Sequence, residues 1–377
     1  MLRGINKKKI IALIVLVLLI VLLVHMFAGQ SGDSRSFAES GGKKAHAEEI
    51  VNAMTLEEKV YQMLIVSPEQ ITGVETVVAA GETTRQALQT YPVGGLIYTK
   101  KNILDKNQIR DVIQASQTYS KTGLLIAIDE EGTNAGLKTM YSYKNKGKRK
   151  AAANAAQIAE YIRGMGFNLD LAPTADVWSN SRNTVVSDHA YSDDFKQAAG
   201  LVSAAVRGFH DKGVICTLKH FPGAGDLTEE LATGYTYLDK TEKEIRGNEM
   251  KPFQAGIDAG ADIVMTGHMT VNAIDKGQPA SLSEKVVTKT LREEMGFKGL
   301  TMTDSLSDEV LTERFSAGEA AVLAVKAGND IILKPDSVED AVNAIINAVS
   351  TGSISEAQIN ESVTRIIETK LNAGIIR

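Results

Sequence analysis

The sequence predicts an α/β fold: a single-domain (β/α)₈ barrel of the TIM type, preceded by an N-terminal transmembrane helix. Short, nearly continuous apolar runs alternate with longer amphipathic segments, which is typical of a parallel sheet whose strands are joined by crossover helices. Seven or eight such units over about 330 residues fit a closed barrel better than a doubly wound sheet. No Gly-x-Gly-x-x-Gly motif opens a helix after an early strand, so the main sign of a dinucleotide-binding fold is missing.

The N-terminal segment has the features of a membrane anchor. Residues 1–9 form a basic stub that we expect to stay in the cytoplasm. Residues 10–28 are apolar, and roughly 19 residues come close to the length that crosses a bilayer as a helix. A cleaved signal peptide has a shorter apolar core that ends in a small-residue cleavage site, and no such site is clear here. We therefore expect an uncleaved single-pass anchor in the cell membrane, with the folded domain outside the cytoplasm.

The remaining chain divides into a linker and one folded domain. Residues 29–47 are rich in Gly and Ser and predict a flexible linker, and residues 48–377 form the predicted barrel domain. Thr55 and Glu58 form a capping box that starts the first helix, and we interpret Met63–Ile65 as a continuation of its apolar face. Candidate strands are Val93–Tyr98, Leu124–Ile128, Leu169–Ala172, Val214–Leu218, Ile263–Thr266, Gly299–Thr303 and Asp330–Leu333.

The amphipathic segments between these runs predict the crossover helices. Residues 351–377 predict a closing helix that packs on the barrel exterior through Val363, Ile366, Ile367 and Leu371. The other candidate helices are Asn107–Ser120, Asn154–Met165, Phe195–Lys212, Glu242–Ala259, Glu284–Glu294, Ala317–Ala327 and Ala341–Ser350.

Composition and charge exclude several classes of function. The chain is 44% hydrophobic and 23% charged, as is usual for a globular protein, and its net charge is −5. No basic stripe dominates the folded part, so we expect no nucleic-acid partner, and the basic run Lys144–Lys150 is interpreted as a solvated loop. The only cysteine, Cys216, lies in an apolar run and is interpreted as a small core residue. No His-x-Glu-x-x-His motif or cysteine cluster occurs, so we expect no metal and no other cofactor.

Two segments bear the residues that point to chemistry. In Lys219–Asp226 a Lys-His pair ends a strand and is followed by a Pro-Gly loop. In Gly299–Leu306 an apolar strand ends in a single carboxylate, Asp304. Functional side chains of a (β/α)₈ barrel lie at the carboxyl ends of its strands, so we expect these groups to share one site. The alternative for Asp304 is a helix N-cap, a position where Asp is common.

Both segments resemble the signature segments of family 3 glycoside hydrolases, in particular the single-domain β-N-acetylhexosaminidases. The resemblance implies a retaining glycosidase that acts on N-acetylglucosamine-containing glycans of the cell envelope, with Asp304 as the nucleophile. It also implies that Asp129, Lys219 and His220 bind the sugar. Asp176 and His268 also lie at the ends of predicted strands, and we expect them to order the site rather than react. Similar segments follow in order at 54–59, 94–98, 127–132, 166–177, 265–268, 279–283, 292–299, 327–330 and 362–366.

The expected proton donor is the main departure from the family pattern. In the family an Asp-x-His dyad acts as acid and base, whereas the matching positions here hold Glu230 and Ala232. Glu229 or Glu230 could replace the dyad, because enclosure in an apolar site raises the pKa of a glutamate toward neutrality. The alternative is that both glutamates are solvated loop residues.

Two sugar-binding arginines of the family are also replaced. One segment reads Leu137-Lys138 and the other His189-Ala190-Tyr191. Lys138 and His189 could supply a positive charge to the substrate, although neither copies the bidentate fork of a guanidinium. Three hypotheses therefore remain: a hydrolase with a substitute acid, a hydrolase restricted to activated leaving groups, and a pseudoenzyme that binds glycan or a membrane partner.

We predict that the chain purified from membranes still contains residues 10–28, because that apolar stretch is long enough to stay in the bilayer. Mass spectrometry of the N-terminal peptide measures this directly. Washing the membranes at alkaline pH is the control, since it releases peripheral proteins and leaves an anchored chain behind. A mature chain that begins after Ala28 would contradict the anchor.

Overall fold

The computed structural model describes residues 42–131, 147–184, 186–187, 189–227 and 236–377. The chain divides into an N-terminal unit that ends at Glu49 and a large unit from Ile50 to Arg377. A helix covers residues 42–52, so the last residues of the predicted linker are helical. The predicted anchor at 10–28 lies outside the described residues. Within the described ranges, no helix is both long and apolar enough to span a bilayer.

Eight parallel strands form a barrel in which each strand pairs with its neighbours along the chain, and β1 also pairs with β8. A parallel bridge between Met302 and Ile331 joins β7 to β8 and closes the ring. The predicted α/β barrel is therefore confirmed. The strands are β1 Leu64–Val66, β2 Gly95–Ile97, β3 Leu125–Ile128, β4 Leu169–Asp170, β5 Ile215–Phe221, β6 Ile263–Thr266, β7 Leu300–Thr303 and β8 Ile332–Leu333.

Helices connect the strands and surround the barrel. A helix over Lys285–Glu294 has π-type hydrogen bonding, and short 3₁₀ turns lie at Lys100–Asn102 and Ala280–Leu282. The α-helices are Leu56–Gln62, Pro68–Thr72, Glu82–Thr90, Lys106–Tyr119, Lys148–Arg163, Phe195–His210, Glu242–Gly247, Met250–Asp258, Glu309–Thr312, Ala317–Ala327, Val338–Ser350 and Glu356–Asn372.

Two predicted elements differ from the structure. The first helix ends at Gln62 and the next residues form β1, whereas the sequence suggested that Met63–Ile65 continue the helix. A run of three or four apolar residues fits a buried strand and a helix face equally well, so periodicity could not separate them. The predicted helix Glu242–Ala259 is two helices, interrupted at Asn248, whose φ of −129° and ψ of −72° end the first one.

The C-terminal helix packs on the barrel as predicted, but its buried face includes an unexpected residue. Val363, Ile366 and Ile367 are buried, whereas Leu371 is only half-buried and Lys370 is fully buried in its place. The Lys370 ammonium donates to Gln62 Oε1 (2.7 Å) and to the Gly123 carbonyl (2.8 Å). These two acceptors precede β1 and β3, so Lys370 ties the helix to the amino-terminal end of the barrel. Burial lowers the pKa of Lys370 to about 7.

We predict that Lys370 makes the free energy of unfolding depend on pH in the neutral to alkaline range. Its pKa is about 7 in the folded chain and about 10.4 when unfolded, so between these values the unfolded chain binds the extra proton. The free energy of unfolding of the wild type, minus that of Lys370→Met, should therefore rise with pH from about 7 to about 10, by up to about 1.4 kcal/mol per pH unit.

Urea unfolding at pH 7, 8 and 9 measures this difference. Lys326→Met, on an exposed position of another helix, is the matched control and should show no such slope. A difference between wild type and Lys370→Met that does not change with pH would contradict the prediction.

Candidate active site

Asp304 directly follows β7 at the carboxyl end of the barrel. Its backbone N–H donates to the carbonyl of Thr266 at the end of β6 (2.9 Å), and its Oδ1 accepts the N–H of Ser305 (2.8 Å). The side chain is 18% exposed. Backbone contacts on both sides therefore fix the carboxylate in a largely enclosed position that still opens to solvent.

Nearby cations keep Asp304 ionised. Burial by itself raises the pKa of its carboxyl, but the charges of His220 and His268 lower it by more. The Ser305 N–H and the Lys219 ammonium act in the same direction, so the pKa lies below its ordinary value. The His220 Nε2 lies 3.8 Å from Asp304 Oδ2. Asp304 is therefore a carboxylate at neutral pH.

His220 is oriented by a buried carboxylate, Asp176. Asp176 Oδ2 accepts from His220 Nδ1 (2.8 Å) and from the His220 N–H (3.1 Å), and Oδ1 accepts the Ala224 N–H (2.6 Å). Burial lowers the pKa of His220, but the hydrogen bond and charge of Asp176 and the charge of Asp304 raise it, so the net shift is upward. Because Nδ1 bonds to Asp176, Nε2 is the nitrogen that faces Asp304.

Lys219 lies at the centre of a second charged group. Its ammonium donates to Asp129 Oδ1 (2.6 Å) and lies 3.6 Å from Glu131 Oε2. Lys219 is only 4% exposed, and burial lowers its pKa. The negative charges of Asp129 and Glu131 raise the pKa by more, so the net shift is upward and the ammonium stays charged. The Asp129 side chain is 46% exposed, so Asp129 is the member of the Lys219–Asp129 pair that is open to solvent.

His189 joins the same group through Glu131. Its Nδ1 lies 2.7 Å from Glu131 Oε2, and the Thr174 hydroxyl donates to Glu131 Oε1. The hydrogen bond to Glu131 raises the pKa of His189, which favours the charged imidazolium. Burial raises the pKa of Glu131, but Lys219, His189 and Thr174 lower it by more, so the net shift is downward. The structure thus places His189 beside the predicted sugar-binding lysine, as the partner of a carboxylate.

Three predicted site residues lie outside the part of the chain that the structure describes. They are Lys138, Glu229 and Glu230, and their assignments stay predictions. The structure brings the remaining predicted residues to the carboxyl end of the barrel, at the ends of β3, β5 and β7 or in the segment that follows β4.

Two further acidic residues belong to this site and were not singled out by sequence reasoning. Glu131 lies two residues after Asp129, so the same strand end delivers both carboxylates. Asp308 lies four residues after Asp304, and its carboxylate approaches that of Asp304 to within 4.8 Å. The sequence shows that Asp304 and Asp308 are four residues apart, which is a sign that they could share a site. An acidic residue before a short helix is also an ordinary N-cap, however.

His268, Asp304 and Asp308 are close enough to be considered as a metal site, since one ligand atom from each lies within 4.8 Å of the others. Both nitrogens of His268 have protein partners, however. Nε2 donates to the Ser305 carbonyl (2.9 Å), and Nδ1 pairs with the Ser281 hydroxyl (2.7 Å). His268 therefore positions the segment after β7, as the sequence suggested, and its contacts require no metal.

A second cluster lies at the amino-terminal end of the barrel. Asp262 Oδ2 accepts from the His210 imidazole (2.8 Å) and the Cys216 N–H (3.0 Å), beside a cavity of about 610 Å³. Burial raises the pKa of the Cys216 thiol well above its ordinary value, which disfavours the thiolate that binds metals. Stability residues collect at this end of such barrels, whereas chemistry occurs at the opposite end.

The carboxyl-end site suits a ligand rich in hydroxyl groups. Lys219 and His220 offer hydrogen-bond donors, and Asp129 offers an acceptor. Asp304 offers a carboxylate that backbone contacts hold in place. Because these groups are paired with one another, the site presents polar groups that are already oriented before a ligand binds.

The profile of the glycosyl hydrolase family 3 N-terminal domain matches residues 55–369. A beta-hexosaminidase of Stenotrophomonas maltophilia is 30% identical over 331 residues, covering 78% of this chain and 97% of the relative. A beta-hexosaminidase A of Pseudoalteromonas piscicida is 28% identical over 324 residues, covering 76% of this chain and 54% of the relative.

A solved structure gives the same result for the fold. The family 3 beta-N-acetylglucosaminidase of a Paenibacillus species matches with a TM-score of 0.80 and 30% identity, over 86% of this chain and 63% of that one. The chain thus spans about half the length of the Pseudoalteromonas relative and under two thirds of the Paenibacillus protein. These matches confirm the resemblance predicted from the sequence, and the chain belongs to glycosyl hydrolase family 3 through the N-terminal domain of that family.

Proposed function

We propose that this chain is a glycoside hydrolase of the β-N-acetylhexosaminidase type. The observation that carries the proposal is the placement of Asp304, an ionised and partly open carboxylate directly beside the His220 imidazole. A carboxylate in this state at the carboxyl end of a (β/α)₈ barrel has the position and charge that a glycosidase nucleophile needs. The beta-hexosaminidase relatives support the same class of reaction.

The proposed reaction retains the configuration of the sugar. Asp304 attacks the anomeric carbon and forms a covalent glycosyl intermediate, which water then hydrolyses. Asp129, Lys219 and His220 hold the hydroxyl groups of the terminal sugar. Asp176 has a positioning role, because it fixes the imidazole of His220 and so keeps Asp304 ionised.

The substrate we propose is an N-acetylglucosamine-containing glycan of the cell envelope. The Paenibacillus protein, named a beta-N-acetylglucosaminidase, supports the amino sugar. The location follows from the sequence, since an anchor at residues 10–28 would hold the barrel at the outer face of the cell membrane. Envelope glycans are the amino-sugar polymers within reach of a domain tethered there.

A glycan-binding pseudoenzyme is the second candidate. The observation that favours it is Ala232, which stands where the family's acid/base histidine is expected. General acid catalysis contributes about 10²–10⁴-fold to such reactions, so its loss without replacement would leave binding as the main activity. Binding of amino-sugar oligomers without any product would support this candidate.

We predict that Asp304→Asn abolishes turnover of 4-nitrophenyl β-N-acetylglucosaminide by the full-length chain, because the amide cannot form the glycosyl ester. Release of 4-nitrophenol measures the rate, and this leaving group needs little protonation, so the assay does not depend on the acid. Asp111→Asn, the same change on an exposed helix position, is the control and should keep wild-type activity. Equal turnover by Asp304→Asn and wild type would refute the assignment.

We predict that Lys219→Ala acts mainly on substrate binding. Removing the ammonium deprives the sugar of a donor and leaves Asp129 and Glu131 facing each other, so KM should rise about tenfold or more, with a smaller change in kcat. The same 4-nitrophenol assay separates the two constants. A fall in kcat at unchanged KM would place Lys219 in the chemical step instead.

A further inference from the structure

A second carboxylate lies beside Asp304 on the same segment of chain. After β7 the chain turns through Ser305–Ser307, and Asp308 precedes the helix Glu309–Thr312. The turn is held by the Asp308 N–H, which donates to the Ser305 carbonyl (3.2 Å). His268 Nε2 donates to that same carbonyl, so the segment that follows β6 also supports the turn. Asp308 is therefore held at a fixed place next to the site.

The two carboxylates are as close as one class of glycosidase requires. An oxygen of Asp308 lies within 4.8 Å of an oxygen of Asp304. Retaining glycosidases hold their two carboxyl groups about 5–5.5 Å apart, whereas inverting enzymes need about 6.5–9.5 Å to admit a water molecule. The pair is thus too close for inversion and suits a nucleophile with a neighbouring proton donor.

We propose that Asp308 is the general acid and base of this chain. It takes the role of the family's acid/base histidine, whose position is occupied by Ala232 here. This inference rests on the proposed function, since it assigns a role within that reaction. It differs from the sequence-based assignment to Glu229 or Glu230, which lie outside the described residues.

The side chain of Asp308 is available for this role. It occupies the N-cap position of the helix Glu309–Thr312 but makes no side-chain capping hydrogen bond there. It is half-buried, so the residue is partly open to solvent. An aspartate that served the helix alone would use its oxygens for the free N–H groups of the first turn.

The charges around Asp308 favour the protonated form. Burial raises its pKa, and the negative charge of Asp304 raises it further. His268, Ser305 and Lys334 lower it by less, so the net shift is upward. The pKa of Asp304 moves in the opposite direction, as described above. Two neighbouring carboxyls whose surroundings move their pKa values apart form the arrangement expected of an acid and a nucleophile.

The proposed step balances protons and bonds. Asp304 attacks the anomeric carbon while the bond to the leaving oxygen breaks, and the carboxyl proton of Asp308 passes to that oxygen to release an alcohol. The Asp308 carboxylate then takes a proton from water as the water oxygen attacks the same carbon. The ester bond to Asp304 breaks, and both carboxyl groups return to their starting states with one water consumed.

The test compares leaving groups in the full-length chain. For phenyl β-N-acetylglucosaminide, whose leaving group needs protonation, Asp308→Asn should lower kcat/KM by about 100-fold or more. For the 2,4-dinitrophenyl glycoside, whose leaving group needs none, kcat/KM should change less than about threefold. Glu309→Gln, the adjacent exposed carboxylate, is the matched control and should leave both substrates unaffected.

Azide provides a second readout that a merely structural role would not move. It attacks the glycosyl intermediate without base catalysis, so it should accelerate Asp308→Asn on the dinitrophenyl substrate and yield the β-glycosyl azide. The alkaline limb of the kcat/KM profile for the phenyl substrate should also disappear in this variant. Circular dichroism checks the fold, and Asp308→Ser, another good N-cap residue, replaces the amide if the asparagine variant fails to fold.

The outcomes separate this inference from the function on which it rests. Equal losses on both substrates, or no loss on the phenyl glycoside, would overturn the role of Asp308 while leaving the glycosidase intact. Wild-type chain that turns over neither substrate would overturn both. Addition of zinc to the wild type tests whether Asp308 instead helps to hold a metal ion with His268 and Asp304. Activity that requires the metal would overturn the assignment of Asp308 as the acid.

Discussion

Closure of the barrel between β7 and β8 is the constraint on which the site depends. Asp330 lies at this junction, just before β8, and its carboxylate is fully buried. It accepts from the Thr301 N–H (3.0 Å), from Arg292, and from Arg365 through two bonds (3.0 and 2.8 Å). Removing one partner of such a buried pair costs about 3–5 kcal/mol, because the other charge is left without compensation. Since Asp304 directly follows β7, the same junction fixes the carboxylate relative to the strands that supply the other site residues.

The site itself is a chain of alternating charges rather than a set of separate residues. Asp176 holds one nitrogen of His220 so that the other faces Asp304, and Lys219 is paired with Asp129 next to it. Each buried charge is stabilised by a neighbour of opposite sign, which offsets the cost of removing it from water. The polar groups are therefore oriented before any ligand arrives, and preorganisation of this kind is the usual source of electrostatic stabilisation in enzymes.

The sequence predicted the barrel and the strand ends that bear Asp304, Lys219 and His220, because buried parallel strands and crossover helices leave a strong periodic signal. It could not identify β1, whose three residues are too short to show a period. The contact between His189 and Glu131 joins segments distant in sequence, and the approach of Asp308 to Asp304 depends on the path of one turn. Neither follows from residue spacing, since the first requires the closed barrel and the second requires the conformation of that turn.

Trapping the covalent intermediate tests the central claim most directly. A 5-fluoro analogue of N-acetylglucosaminyl fluoride forms the glycosyl enzyme quickly and releases it slowly, so the full-length chain can be digested and its labelled peptide sequenced by mass spectrometry. The account predicts one sugar per chain, attached through an ester to Asp304. A label on another carboxylate, or hydrolysis of the natural glycoside with inversion and no trapped sugar, would contradict it.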